Sequence, residues 1–156
     1  MAASISIYKA QFERLHRAKI KGLLAPHKII LLLAILDRVE DCLVHGEAGR
    51  DVVRQHPMAF RPHLEYFFYK EWNLHVKSDV FRPSYENPLI HMQYEPFYRL
   101  VPKVDDTGQP MPYSSAQSLT ALEKAFVGIR LDAELIELLI DENNRKEMRR
   151  YLIDLL

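Results

Sequence analysis

His27 and Lys28 stand where a helix would begin, directly after Pro26, and eight consecutive apolar residues (29–36) follow them. Proline suits the first helical position, because its missing N–H is one that a helix leaves unbonded there. A helix start carries partial positive charge and unpaired N–H groups, so it attracts anions. Two basic side chains at that point would suit a bound phosphate or carboxylate. The plainer reading is that Lys28 flanks a buried helix and points to water.

Further cations repeat at suggestive spacings. Arg14, Arg17 and Lys21 fall at i, i+3, i+7, the interval of one helical face. Such a stripe is either a solvated surface or a row of phosphate contacts. Tyr98 and Arg99, with Lys103 shortly after, lie on or just beyond a short strand-like run. Arginine grips a guanine edge or a phosphate with two parallel hydrogen bonds; the alternative for Arg99 is a structural ion pair. Arg145, Lys146, Arg149 and Arg150 make two i, i+4 basic pairs near the end of the chain.

Residue types that carry catalysis are present without the spacing that catalysis needs. There are seven histidines, but none is paired at i, i+4 around a glutamate, and the single cysteine cannot build a zinc finger. Glu40 and Asp41 precede Cys42 and would raise its thiol pKa, which disfavours a nucleophile. No glycine-rich phosphate loop, Gly-x-Ser-x-Gly elbow or HNH signature occurs. The carboxylates of 132–142 alternate with leucines and read as solvated helix faces. The expectation is a non-enzymatic chain that needs no cofactor or metal.

The elements that would position these residues can be read from periodicity. Tyr8, Phe12 and Leu15 predict an amphipathic helix over about 6–21, closed by Gly22. The second helix starts at Pro26, carries Cys42 as a small packing residue and ends near His45. Residues 46–59 read as an irregular connection, and Pro62 as the start of a helix bearing Phe67, Phe68 and Trp72. Residues 77–87 read as a polar loop. Two short strands are expected at 88–92 and 97–101, with 93–96 as their turn. Asp105-Asp106-Thr107-Gly108 is a clear loop signal. Three helices should finish the chain. The first is capped by Ser114 or Ser115 and bears Leu119, Leu122 and Phe126 before Gly128; the second is capped by Asp132; the third carries Met148, Tyr151, Leu152 and Leu155.

The chain of 156 residues is long enough to bury an ordinary core and predicts a single domain, 1–156, of α+β class, mostly helical with a small central antiparallel sheet. Apolar residues make up 48% and charged residues 27%, a balance that excludes a disordered chain. The run of 29–36 is far too short to span a bilayer, and no signal-peptide pattern opens the sequence. One cysteine fits a reducing cytoplasm. Net charge is zero, yet residues 1–28 hold six cations against Glu13 alone, which permits a local anion-binding face.

Ala25-Pro26-His27-Lys28 with its aliphatic run resembles the opening of the sulfur-recognising DNA-binding domains that accompany HNH nucleases in bacterial restriction enzymes acting on phosphorothioate DNA. Phe67-Phe68-Tyr69-Lys70-Glu71-Trp72 resembles an aromatic helix of that family, and Glu95-Pro96-Phe97-Tyr98-Arg99-Leu100 its Pro-Phe-x-Arg-Leu strand. Leu131-Asp132-Ala133-Glu134-Leu135 through Asn144-Arg145 to Tyr151-Leu152 resembles its terminal helix pair. The resemblance runs in order from about Ala25 onward. It implies a DNA-binding scaffold with Arg99 on the contacting surface. An HNH domain is absent from the sequence. The aromatic-Pro turn on which the family's sulfur pocket depends would follow Leu156. The expectation is therefore a scaffold with weak sulfur preference, bound to double-stranded DNA and served by a separately encoded nuclease or other protein. A protein–protein adaptor on the same scaffold is the alternative.

Overall fold

The computed structural model describes residues 4–17, 19–44, 54–55, 66, 86–92, 95–111, 121 and 124–156. Its elements run α1 (Ile5–Glu13), β1 (Lys19–Ile20), β2 (Leu23–Leu24), α2 (His27–Val44), β3 (Arg54–Gln55), α3 (Glu86–His91), β4 (Tyr98–Pro102), β5 (Phe126–Leu131), α4 (Ala133–Ile140) and α5 (Glu142–Asp154). The fold is α+β and mostly helical, with small antiparallel sheets. Among the described residues no helix is long and apolar enough to cross a membrane.

The apolar run decides where the core sits. Every residue from 29 to 36 is buried, so α2 is enclosed on all sides over its first turns. Further along, Val39 and Cys42 stay buried while Asp37, Arg38, Glu40 and Asp41 reach partial exposure, and the helix becomes amphipathic. Helix α1 adds Ile5, Tyr8 and Phe12, and the Phe12 ring stacks on Phe97 at 5.0 Å. Helix α4 adds Leu135, Ile136 and Leu139, and α5 adds Met148 and Leu152. Asp132 caps α4 as expected, accepting from the Leu135 N–H at 3.3 Å, and Tyr8 Oη donates to the same carboxylate at 2.5 Å.

Four expectations are corrected. Helix α1 stops at Glu13, with Arg14 at its C-cap. Residues 19–24 instead form a hairpin whose two loop residues, Lys21 and Gly22, have φ of +51° and +79°. Those signs mark a type I′ turn, which matches the twist of paired strands; Gly22 closes a hairpin and not a helix. Pro26 lies one place earlier than expected, its carbonyl accepting the first helical bond from Ile30 N–H at 2.9 Å. Residues 86–91 are the helix α3, not a strand, because a short apolar run fits either state and this one packs on α2.

The fourth correction places Phe126 on a strand. Residues 126–131 are β5, the central strand of the order β3-β5-β4. Leu122 and Phe126 share a helical interval, but Phe-Val-Gly-Ile-Arg-Leu is also a β-prone sequence, and pairing with β4 decides it. Expectations for residues 46–53, 56–65, 67–85 and 112–120, including Trp72, fall outside the described residues.

Candidate nucleic-acid interface

The residues singled out for DNA contact divide into two groups. In the first, the side chain is committed to the fold. Tyr98 is buried, and its hydroxyl donates to the Leu89 carbonyl at 2.6 Å, so it cannot touch a ligand. Arg17 Nε donates to the Ala25 carbonyl at 2.8 Å and Nη1 to the Leu155 carbonyl at 3.1 Å. That one guanidinium joins the hairpin's exit to the C-terminal end, and burial holds its pKa below the usual arginine value.

Lys28 neither points to water nor waits for an anion. Its Nζ donates to the His16 carbonyl at 2.5 Å, closing the segment before the hairpin onto the start of α2. Burial lowers its pKa, against the opposing pull of the Glu95 carboxylate. His27 beside it is half-buried at the first position of α2. Arg145 Nη1 donates to the carbonyls of Leu139 and Ile140, each at 2.9 Å, capping the C-terminal end of α4. Arg149 reaches Glu40 at 3.5 Å and Asp37 at 3.8 Å, tying α5 to α2. Lys146 pairs with Glu142 at 3.4 Å. The basic pairs of α5 are mainly structural.

The second group stays on the surface. Arg14 is exposed at the C-cap of α1, a position where the helix dipole favours a cation. Lys21 is exposed at the hairpin tip, and Lys19 is exposed on β1. The expected stripe of Arg14, Arg17 and Lys21 does not exist, because no helix runs beneath it. Arg99 is exposed on β4, with Nη1 donating to the carbonyls of Glu95 at 2.5 Å and Tyr98 at 2.9 Å. Lys103 is exposed just after that strand, where Val104 and Pro110 bridge a second hairpin.

One residue that sequence reasoning missed is Arg130. It is exposed on β5, between buried Ile129 and Leu131, and pairs in register with Arg99 on one side and Arg54 on the other. The signal was available in the alternation Ile-Arg-Leu, but was hidden while 126 was assigned to a helix. A groove of about 480 Å³ lies between α1 and α5, lined by Lys9, Lys146, Glu147, Arg150 and Tyr151 among others. Its charges are largely self-compensating: Lys9 pairs with Glu147 at 2.9 Å and stands 5.2 Å from the centre of the Tyr151 ring. Among the described residues no group of histidine, cysteine or carboxylate side chains is placed to hold a metal ion.

No protein-family model matches the chain, and no curated protein matches it. The likeness to sulfur-recognising domains therefore rests on the quoted motifs alone.

Proposed function

We propose that this chain is a non-catalytic DNA-binding module, related to the readers of phosphorothioate DNA in bacterial restriction systems and working in the cytoplasm. The observation that carries this reading is the β1–β2 hairpin. Its strands expose Lys19, its tip exposes Lys21, and Arg17 and Lys28 fix its two ends to the body of the protein. A braced cationic hairpin offers phosphate contacts without first having to be ordered.

Titration of duplex DNA at several salt concentrations tests it. Binding should weaken steeply as salt rises, because each phosphate contact releases counterions. A duplex carrying one sulfur should bind within roughly a hundredfold of its unmodified twin, about 2.7 kcal/mol. Plasmid incubated with the pure protein and magnesium or manganese should stay intact; cleavage that a point mutation abolishes would end the non-catalytic reading.

A protein–protein adaptor is the second reading, and the second hairpin favours it. Val104 is 61% exposed and Met111 38% exposed there, apolar surface that a partner could cover. An adaptor shows no DNA affinity at any salt.

A further inference from the structure

We propose that two copies of this chain associate by docking the hairpin of residues 103–111 of each onto the β1–β2 hairpin of the other. The first of these hairpins is an arm in which every residue is exposed. It is nonetheless ordered by its own backbone. Met111 N–H donates to the Lys103 carbonyl and Asp105 N–H to the Gln109 carbonyl, each at 2.8 Å, while Val104 bridges Pro110. The Asp105 carboxylate closes the tip, accepting from Thr107 Oγ1 at 2.6 Å, Thr107 N–H at 2.9 Å and Gln109 N–H at 3.0 Å. These bonds, that from the Thr107 hydroxyl foremost, hold the Asp105 carboxyl below its ordinary range, so it stays charged. Ordering a segment costs conformational entropy that burial normally offsets. This arm offsets little of that cost within one chain. It presents Val104, Pro110 and Met111 to solvent beside the carboxylates of Asp105 and Asp106.

The same molecule exposes the counterpart. Lys19 stands opposite Leu24 in the β1–β2 register, so the two share a face, and Leu24 is 47% exposed. Lys21 at the tip and Arg14 at the C-cap of α1 add two exposed cations. One hairpin thus sets an apolar side chain beside positive charge, and the other sets apolar side chains beside negative charge. Both surfaces are open in a single chain, and a second copy supplies each with its complement. A two-fold axis makes the contact twice, arm on hairpin and hairpin on arm. Opposite charge fixes which surfaces meet, because two arms or two β1–β2 hairpins would oppose like charges.

The proposal is independent of the DNA-binding reading, since it is read as mass with no nucleic acid present. The experiment is sedimentation velocity of the full chain from about 1 to 300 μM, at about 50 and 500 mM salt. It is repeated with Lys21→Glu, with Asp106→Lys and with both changes in one chain. The full chain should pass from monomer to dimer over that range at low salt and dimerise less at high salt. Each single change sets like charges together and should raise the dissociation constant about tenfold. The double change exchanges the signs and should return the constant to within about threefold of the original. A folding defect in a single variant would persist in the double, so recovery separates docking from folding. A monomer at every concentration and salt overturns the proposal and leaves the arm to a different protein. A dimer indifferent to both single changes, or one that the double change does not restore, places the contact elsewhere and overturns it as well.

Discussion

Arginine plays opposite parts in the helical layer and on the sheet. Around α2, the guanidinium groups of Arg17, Arg145 and Arg149 turn toward carbonyls and carboxylates left over by chain ends, helix ends and neighbouring helices. On the outer face of the sheet, Arg99 and Arg130 stand side by side and exposed. The first set is explained by the fold. In the second, Arg99 is held by the Glu95 and Tyr98 carbonyls, while Arg130 forms no ion pair among the described residues.

The same substitution in both regions breaks or sharpens that contrast. Arg145→Met keeps the aliphatic stem and removes two charge-assisted hydrogen bonds to the end of α4, so it should cost about 1.5–3 kcal/mol in urea unfolding. Arg130→Met should cost nothing measurable or stabilise slightly. Equal losses at the two positions would mean that the sheet face is as structurally committed as the helices.

This contrast was the part of the molecule least legible in the sequence. The buried run of α2, the Asp132 cap and the apolar stripes of α4 and α5 could all be read, because periodicity and capping are local properties. The destination of an arginine is not local. Arg17 finds the Leu155 carbonyl 138 residues away, and Arg130 is defined by its register with β4. The hairpin was missed for a related reason: Lys21-Gly22 is a weak turn signal beside Asn-Gly or Asp-Gly, and the Tyr8, Phe12, Leu15 interval extended a helix past its real end. Strand β5 was missed because a short apolar run does not declare its state until it has a partner.

A smaller effect concerns the polar contact that joins α1 to the start of α4. Burial, and then the hydrogen bond to Asp132, push the Tyr8 phenol well above its ordinary value near 10. The folded state therefore holds this proton where the unfolded chain releases it. Its contribution is complete below about pH 10 and is lost as pH rises toward the higher folded value. Tyr151, raised to about 12 mainly by its hydrogen bond to Glu13, acts with the same sign. Tyr8→Phe should cost about 1–2 kcal/mol at neutral pH. It should also flatten the decline above pH 10, as followed by urea midpoints across that range. An alkaline decline as steep as the unsubstituted chain's would place its origin elsewhere.

The smallest effect is expected at the hairpin tip, and it has the opposite sign. Lys21 holds φ at +51°, a conformation that side chains with a Cβ adopt at a cost of roughly 1 kcal/mol. Asparagine tolerates that region far better. Lys21→Asn should therefore stabilise the protein by a few tenths to about 1 kcal/mol, read as a small rise in the thermal midpoint. A turn selected only for folding would gain from this change and lose nothing. If the tip meets phosphate, the same substitution should weaken duplexes of every sequence alike and lower the salt slope by about one. A more stable protein with unchanged DNA affinity would remove the hairpin from the interface. A more stable protein that binds less well shows strain retained at the one turn position where a lysine reaches a ligand.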